Sequence, residues 1–306
     1  MNKVWIISDH PETAYELAGK AKTLGTSLTA YVLGDNDVAQ RVISFGADVV
    51  KLMQLPQTTV WEQYLSVLLQ EAGTENPELI LVASTCRGKD LAAQLAAKLD
   101  CPCVTDSKKL EEKDGKLVLQ RIIYGGLAYQ DIECNTFPVI VTIAPHTFEK
   151  GEPEEKQGEI FNLSLIGEGP IQVVERKAKE AASVNLAEAD IVVGVGRGLT
   201  QQSGLAMFEE LAKLLGGEVG CTRPIAEDLK WLPEERYLGI TGKQIKPNLY
   251  LCAGVSGQIQ HVYGIRESKV IVSINNNENA PIFKVSDYYI VGDLEEVIPA
   301  LISALK

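Results

Sequence analysis

Histidine is scarce, at 3 in 306 residues, and cysteine numbers only 6. So few thiols in so long a chain cannot build a disulfide scaffold. They are scattered as Cys86, Cys101, Cys103, Cys134, Cys221 and Cys252. Only Cys101 and Cys103 lie close together, around Pro102, with no second pair or neighbouring histidine to complete a metal site. Buried thiols are therefore expected, and the absence of a ferredoxin-like cysteine run excludes an iron–sulfur cluster held by this chain. No stretch of about 18 apolar residues occurs, so no transmembrane helix is expected. The opening MNKVWIISDHPET turns acidic at Asp9 and Glu12 after a short apolar run, unlike a secretory or transit segment, and a cytoplasmic location is expected. Basic residues are outnumbered, 29 Lys+Arg against 41 Asp+Glu, for a net charge of −12. A surface of that sign repels phosphate backbones and anionic lipid, which argues against nucleic acid and membrane insertion.

What remains is an ordinary globular mixture, 45% hydrophobic and 23% charged. At about 100 to 200 residues per domain, the chain holds two domains. In the first half, the apolar runs Val4–Ile7, Leu28–Leu33, Asp48–Leu52 and Leu79–Ala83 alternate with helical stripes. One stripe is Ala14, Leu17, Ala18, Ala21 and Leu24; another is Trp61, Tyr64, Leu65, Leu68, Leu69 and Ala72. Continuous apolar strands between helices predict a parallel sheet covered on both faces. Gly25 and Gly73 stand where helix ends favour a residue tolerant of positive φ. After Asp100, LVLQRIIYGGLAYQDIEC and PVIVTI read as an antiparallel extension of the same sheet. Residues 149–169 turn polar and glycine-rich, and the domain boundary is placed near Ala182, giving domains 1–182 and 183–306. The second half repeats the pattern with strands at Ile191–Gly196, Glu218–Cys221, Leu249–Gly254, Val270–Asn275 and Tyr288–Gly292, a helix stripe of Leu205, Phe208, Leu211, Ala212 and Leu215 after the first of them, and a last helix from near Asp293. The fold class is thus α/β, two doubly wound parallel-sheet domains, the first with an antiparallel extension, and ligands belong at the carboxyl ends of the strands.

Each strand of the second half ends in an unusual loop. GVGRGL (Gly194–Leu199) resembles a dinucleotide loop but has Leu199 in place of the third glycine, leaving a tight turn as an equal reading. GCTRP (Gly220–Pro224) sets Thr222 and Arg223 before a proline-started helix. LGITGK (Leu238–Lys243) and AGVSGQIQHVYG (Ala253–Gly264) combine glycines with Thr241, Ser256, Gln260 and His261, a set suited to a polar heterocycle. Plain structural roles stand beside these: an ion pair for Arg223, a structural or surface position for His261, a turn for Asn275, a helix N-cap for Asp293. A rival reading is a nucleotide-binding α/β enzyme without flavin, with STCRGKD (Ser84–Asp90) as an anion loop after a strand. It lacks a nucleophile, base and orienter set.

The stretches GRGL, TRP, TGK, KPNLY, GVSGQIQH, SKVIVSIN, APIF and SDYYIVGDL closely resemble the carboxyl-terminal domain of the electron transfer flavoprotein alpha subunit. The likeness runs from Gly194 to the end, and the first half fits that family's amino-terminal α/β domain more loosely. The resemblance implies FAD extended across the second domain and a first domain that serves as a subunit-interaction scaffold. It puts Arg197 at the pyrophosphate, Thr222 and Arg223 at the isoalloxazine, and Leu238, Gly239, Ile240 and Thr241 along the ring. Ser256, Gly257, Gln258, Ile259, Gln260 and His261 then hold the ribityl and flavin edge, and Asn275, Asp293 and Leu294 the adenosine end. Arg223, Thr241 and His261 tune the flavin, with Arg223 favouring an anionic semiquinone, Thr241 at the N5 edge and His261 near a pyrimidine carbonyl. Thr222 stands where the family usually has Ser, and Ile240 where it usually has Gln; with TRPIAE and EERYLGI these point to the nitrogen-fixation and carnitine-associated branch. The expected role is an electron carrier rather than an enzyme. The implied partners are an electron transfer flavoprotein beta subunit, an acyl-CoA dehydrogenase-type flavoenzyme, and a quinone reductase or ferredoxin, with NADH-linked and bifurcating systems among the regimes the family offers.

Overall fold

A computed structural model of the chain describes residues 1–55, 60–124, 127–165, 171, 173–175, 186 and 189–306. It divides into two compact units, Met1–Lys177 and Ala178–Lys306. The boundary read near Ala182 falls outside the described residues.

The first unit runs β1 (Lys3–Ser8), α1 (Pro11–Ala21), β2 (Ser27–Leu33), α2 (Asn36–Ser44), β3 (Val49–Met53), α3 (Leu65–Glu75), β4 (Leu79–Ala83) and α4 (Cys86–Leu99). It continues through β5 (Cys103–Val104), β6 (Ser107–Lys113), β7 (Lys116–Ile123), β8 (Ala128–Cys134), β9 (Val139–Ile143) and β10 (Glu159–Leu163). A seven-stranded parallel sheet has the order β10-β3-β2-β1-β4-β9-β5. Its central strands are buried almost throughout, β4 at every position, as apolar runs sandwiched between helices require. Val4, Ile6, Leu79 and Leu81 pack with Ala14, Leu17 and Ala18 of α1 on one face. Trp5, Ile7, Ile80 and Val82 pack with Leu68 of α3 and Leu91 and Leu95 of α4 on the other. Each such fully buried large side chain contributes about 1.5–3 kcal/mol.

Four features differ from the sequence reading. The antiparallel strands form their own three-stranded sheet, β6-β7-β8, while PVIVTI becomes β9 and joins the main sheet in parallel between β4 and β5. The polar stretch after Glu149 contains β10, an edge strand with Phe161 half exposed; a strand buried on neither face carries no continuous apolar run. Gly25 and Gly73 are not at positive φ; the left-handed cap of α3 is Asn76 at φ 51°. Gly25 is required instead by a close approach, since a Cβ there would lie 2.4 Å from Val4 Cγ2. The thiols are free, and Cys86, in the first turn of α4, is exposed rather than buried.

The second unit contains β11 (Ile191–Val195), α5 (Leu205–Leu215), β12 (Glu218–Cys221), β13 (Leu249–Ala253), α6 (Ile259–Ile265), β14 (Val270–Asn275), β15 (Tyr288–Val291) and α7 (Leu294–Leu305). Its five strands are parallel in the order β12-β11-β13-β14-β15. The predicted helix stripe appears as the buried face of α5, Leu205, Phe208, Leu211 and Ala212, which packs with Ile298 and Ile302 of α7. Val192, Tyr250, Cys252 and Ile271 cover the opposite face with Ile265 and Ile282. The winding reverses between β11 and β13, and a crevice opens at the carboxyl ends of strands at such a point.

Candidate functional site

Glycines let the two loops at this crevice touch. A Cβ at Gly196 would lie 2.2 Å from the Gly254 carbonyl oxygen, and one at Gly198 would lie 2.6 Å from Gly254 Cα. Gly196 N donates to Ala253 O at 3.0 Å and Gly198 N to Gly254 O at 2.9 Å, knitting the end of β11 to that of β13. Gly194 has a separate cause, because a Cβ there would be 2.2 Å from Tyr250 Oη. The three glycines of GVGRGL thus serve close packing across the strand ends, as the tight-turn reading holds.

The loops surround a cavity of about 580 Å³ lined by Arg197, Gly198, Thr222, Arg223, Pro224, Tyr237, Ile240, Thr241, Gly254, Val255, Ser256, Gln258, Gln260, His261 and Asn275. A second cavity of about 260 Å³ shares Gly198, Gly254 and Asn275 and adds Thr200, Asn276, Gly292, Asp293, Leu294 and Glu295. Together they make a long trough of a size usual for cofactor sites, roughly 300–1,000 Å³. Of the residues singled out in the sequence, Leu238, Gly239, Gly257 and Ile259 line neither cavity. Leu238 is fully buried in the core and Ile259 is about half exposed. Gly257, at φ 88°, admits the chain of Ile282, whose N would lie 2.2 Å from a Cβ. Sequence reasoning missed Tyr237, Pro224 and Val255, apolar or aromatic walls that no polar-residue signal marks.

The polar groups divide into those already satisfied and those left open. The Thr222 hydroxyl is buried and has no hydrogen-bond partner among the described residues, a rare and costly condition for a native side chain. Arg223 is exposed and its Nε donates to Glu227 Oε2 at 2.6 Å, which holds its guanidinium above its usual range of protonation. Asn275 Nδ2 donates to Val255 O at 2.8 Å and its Oδ1 accepts from Asn277 N at 2.9 Å, so the side chain braces two loops. Asp293 caps α7, its Oδ1 accepting from Glu295 N at 2.8 Å. The N-cap and turn roles are therefore real, and both residues also face the second cavity.

His261 is the case where geometry alters the expected chemistry. Its Nδ1 lies 3.0 Å from Leu238 O and its Nε2 lies 2.9 Å from Tyr250 Oη. A carbonyl only accepts, so Nδ1 carries the proton and Tyr250 donates to Nε2. Burial pulls its pKa down to about 4, against a smaller upward pull from the bond to Leu238 O, and the ring is neutral at pH 7. Both ring nitrogens are committed inside the protein, so the ring lines the trough as a wall and has no N–H left for a pyrimidine carbonyl.

The anion loop of the rival reading sits at the corresponding place in the first unit. Thr85 caps α4, its Oγ1 accepting from Gly88 N at 2.9 Å and donating to Asp9 at 3.0 Å. Ser84 Oγ donates to Asp106, and Lys89 pairs with Asp106 at 2.8 Å. The positions an anion would take are held by the chain's own carboxylates.

Comparison with known proteins decides the family. The chain matches the electron transfer flavoprotein domain over residues 4–166 and the electron transfer flavoprotein FAD-binding domain over residues 185–266. It is 40% identical over 312 residues to a protein described as electron transfer flavoprotein subunit YdiR of Escherichia coli K12, covering 100% of this chain and 99% of that one. It is 38% identical to FixB of Escherichia coli O157:H7 and to FixB of Shigella flexneri, in each case over 99% of this chain and 98% of the relative. This chain belongs to the electron transfer flavoprotein family. It is an alpha-type subunit, and its match to the FAD-binding domain, residues 185–266, falls within the second unit. The trough fits that cofactor: glycines thin its floor at Gly198 and Gly254, and Thr222 offers an unpaired buried hydroxyl. The cavities also reach past the matched 185–266 to Asn275, Asp293 and Leu294. Among the described residues no helix is long and apolar enough to cross a membrane, and no cluster suits a metal ion.

Proposed function

We propose that this subunit, paired with an electron transfer flavoprotein beta subunit, is a carrier that takes electrons from an acyl-CoA dehydrogenase-type flavoenzyme. It delivers them to a second redox partner of the quinone reductase or ferredoxin class, in an NADH-linked or bifurcating system. The observation that carries this reading is the trough itself, built at the switch point from backbone and uncharged polar groups with the exposed guanidinium groups of Arg197 and Arg223 on its larger part and the carboxylates Asp293 and Glu295 at its far end. Its one histidine has both nitrogens in use, so that ring is not free to act as a general base on a substrate.

FAD, when bound, supplies the ring that gains and loses electrons. The chain supplies position and field. Arg197, beside the close-packed turn at Gly198, would hold the pyrophosphate, Thr222 would bond the ring system, and Ser256, Gln258 and Gln260 would take the ribityl side. Asn275, Asp293 and Leu294 would form the adenosine end, and Thr241 would face the ring edge. Arg223 brings positive charge to the rim, and Glu227 at 2.6 Å takes back part of that field. Ile240, 42% exposed and apolar, adds no hydrogen bond and sheds water from the ring.

The test is anaerobic transfer. The heterodimer is mixed with catalytic acyl-CoA dehydrogenase and its acyl-CoA, and the flavin band is followed. Bleaching at the rate of dehydrogenase turnover supports the carrier reading. A heterodimer that dithionite bleaches but the dehydrogenase does not would remove that partner.

A further inference from the structure

The loop Tyr237–Lys243 folds around one aromatic ring. Lys243 N donates to Tyr237 O at 2.8 Å, Gly239 N to Lys243 O at 3.1 Å and Gly242 N to Gly239 O at 3.2 Å. Bridges Cys221 to Tyr237 and Leu238 to Lys243 tie the loop to the end of β12 and to itself. Two glycines leave the room the ring needs. A Cβ at Gly239 would lie 2.7 Å from Tyr237 Oη, and one at Gly242 would lie 2.6 Å from Tyr237 Cδ1. Tyr237 is 6% exposed, yet it faces the larger cavity, and its Oη lies 3.2 Å from Thr241 Oγ1. That contact is the side-chain hydrogen bond of both residues among those described.

Each hydroxyl has one proton, so the direction of this bond decides what Thr241 offers the cavity. With Thr241 as donor, only its lone pairs face inward. With Tyr237 as donor, the Thr241 proton is free for an acceptor in the cavity. The phenol is the more acidic hydroxyl and hence the stronger donor, and its Oη has no other acceptor among the described residues. We propose that Tyr237 is a positioning residue for the cofactor: it donates to Thr241 Oγ1, fixes that side chain's rotamer, and turns the Thr241 proton toward a nitrogen or carbonyl edge of the flavin. This rests on the reading that the flavin ring occupies the larger cavity. The buried phenol thus gives an exposed, otherwise unsupported threonine one orientation before the cofactor arrives, so less freedom is lost on binding.

The test is a double-mutant cycle on the full chain co-purified with its beta subunit, using Tyr237→Phe, Thr241→Val and both together. The readouts are the FAD dissociation constant, the visible spectrum of the bound oxidised flavin and the thermal midpoint. Tyr237→Phe keeps the ring and removes only the hydroxyl. It is expected to weaken FAD binding about three- to tenfold and to shift the flavin band, with an unchanged apo thermal midpoint. In the Thr241→Val background it should do neither. The same penalty in both backgrounds would overturn the proposal, because the hydroxyl would then act on packing and not through Thr241. So would Tyr237→Phe without effect while Thr241→Val weakens binding. A wild-type heterodimer from which no FAD can be extracted would overturn the site reading beneath it, an outcome separate from either.

Discussion

Acid should weaken this fold through His261, by an amount the structure sets. The ring is 6% exposed, and burial pulls its pKa from 6.5 to about 4. The unfolded chain therefore binds a proton between pH 6.5 and about 4 that the folded chain refuses. Stability rises with pH wherever the unfolded state holds more protons, so this contribution is complete above pH 6.5 and is lost as the pH falls toward 4. At about 1.4 kcal/mol for each factor of ten in proton affinity, the fall from 6.5 to about 4 amounts to about 3 kcal/mol. The perturbation is acidification from pH 7 to pH 4 of the wild type and of His261→Gln, which cannot take up the proton. Urea unfolding at pH 7, 5.5 and 4 gives the two stability curves; carboxylates titrate alike in both chains and cancel in the difference. The wild type should lose about 3 kcal/mol more than the variant, most of it below pH 5.5. Parallel curves would refute the assignment of a neutral histidine locked between Tyr250 and Leu238.

Three other outcomes follow from the same contacts. Thr222→Val removes a buried hydroxyl that has no partner among the described residues, so the apo chain should gain about 1–3 kcal/mol while FAD binds more weakly; a loss of apo stability, or unchanged affinity, would contradict it. Gly194→Ala sets a methyl 2.2 Å from Tyr250 Oη and should cost about 1–3 kcal/mol by overpacking, read from urea midpoints, whereas a neutral result would mean that Tyr250 moves freely. Arg223→Ala should lower the flavin's one-electron potentials and Glu227→Gln should raise them, because one removes the rim cation and the other its counter-charge. Potentiometric titration in which both variants match the wild type would end that role for Arg223.

Much of the architecture could be read from periodicity. Strands buried on both faces, such as Leu79–Ala83, announce themselves as unbroken apolar runs. The stripe Leu205, Phe208, Leu211 and Ala212 likewise marks the inner face of α5. Edge elements were hidden for the opposite reason: β10 has two partly buried residues in five, so it reads as linker. The splitting of β6-β7-β8 from the main sheet depends on which strands pair, and hydropathy is blind to pairing. Within the site, nine polar residues and Ile240 among those named share the larger cavity, most of them standing out by residue type and Arg197, Ile240 and Gln258 through the family resemblance. Chemistry that depends on partners did not: the commitment of both His261 nitrogens needs Tyr250 from β13, which read simply as part of a strand, and the carbonyl of Leu238, which read as a wall of the flavin site. Tyr237 carried no signal of its own in the sequence, and only the space around Gly239 and Gly242 reveals what it does.

The central claim is that FAD lies in the trough at the strand ends of the second unit, and Ser256→Phe tests it most directly. Ser256 is exposed and lines the larger cavity, so the ring would fill the trough and leave the core untouched. Extractable FAD per heterodimer is measured for wild type and variant beside a thermal melt of each chain in its apo form. Loss of one FAD equivalent from a variant whose apo melting point is unchanged is the predicted result. A variant that keeps the full FAD content of the wild type would contradict the account.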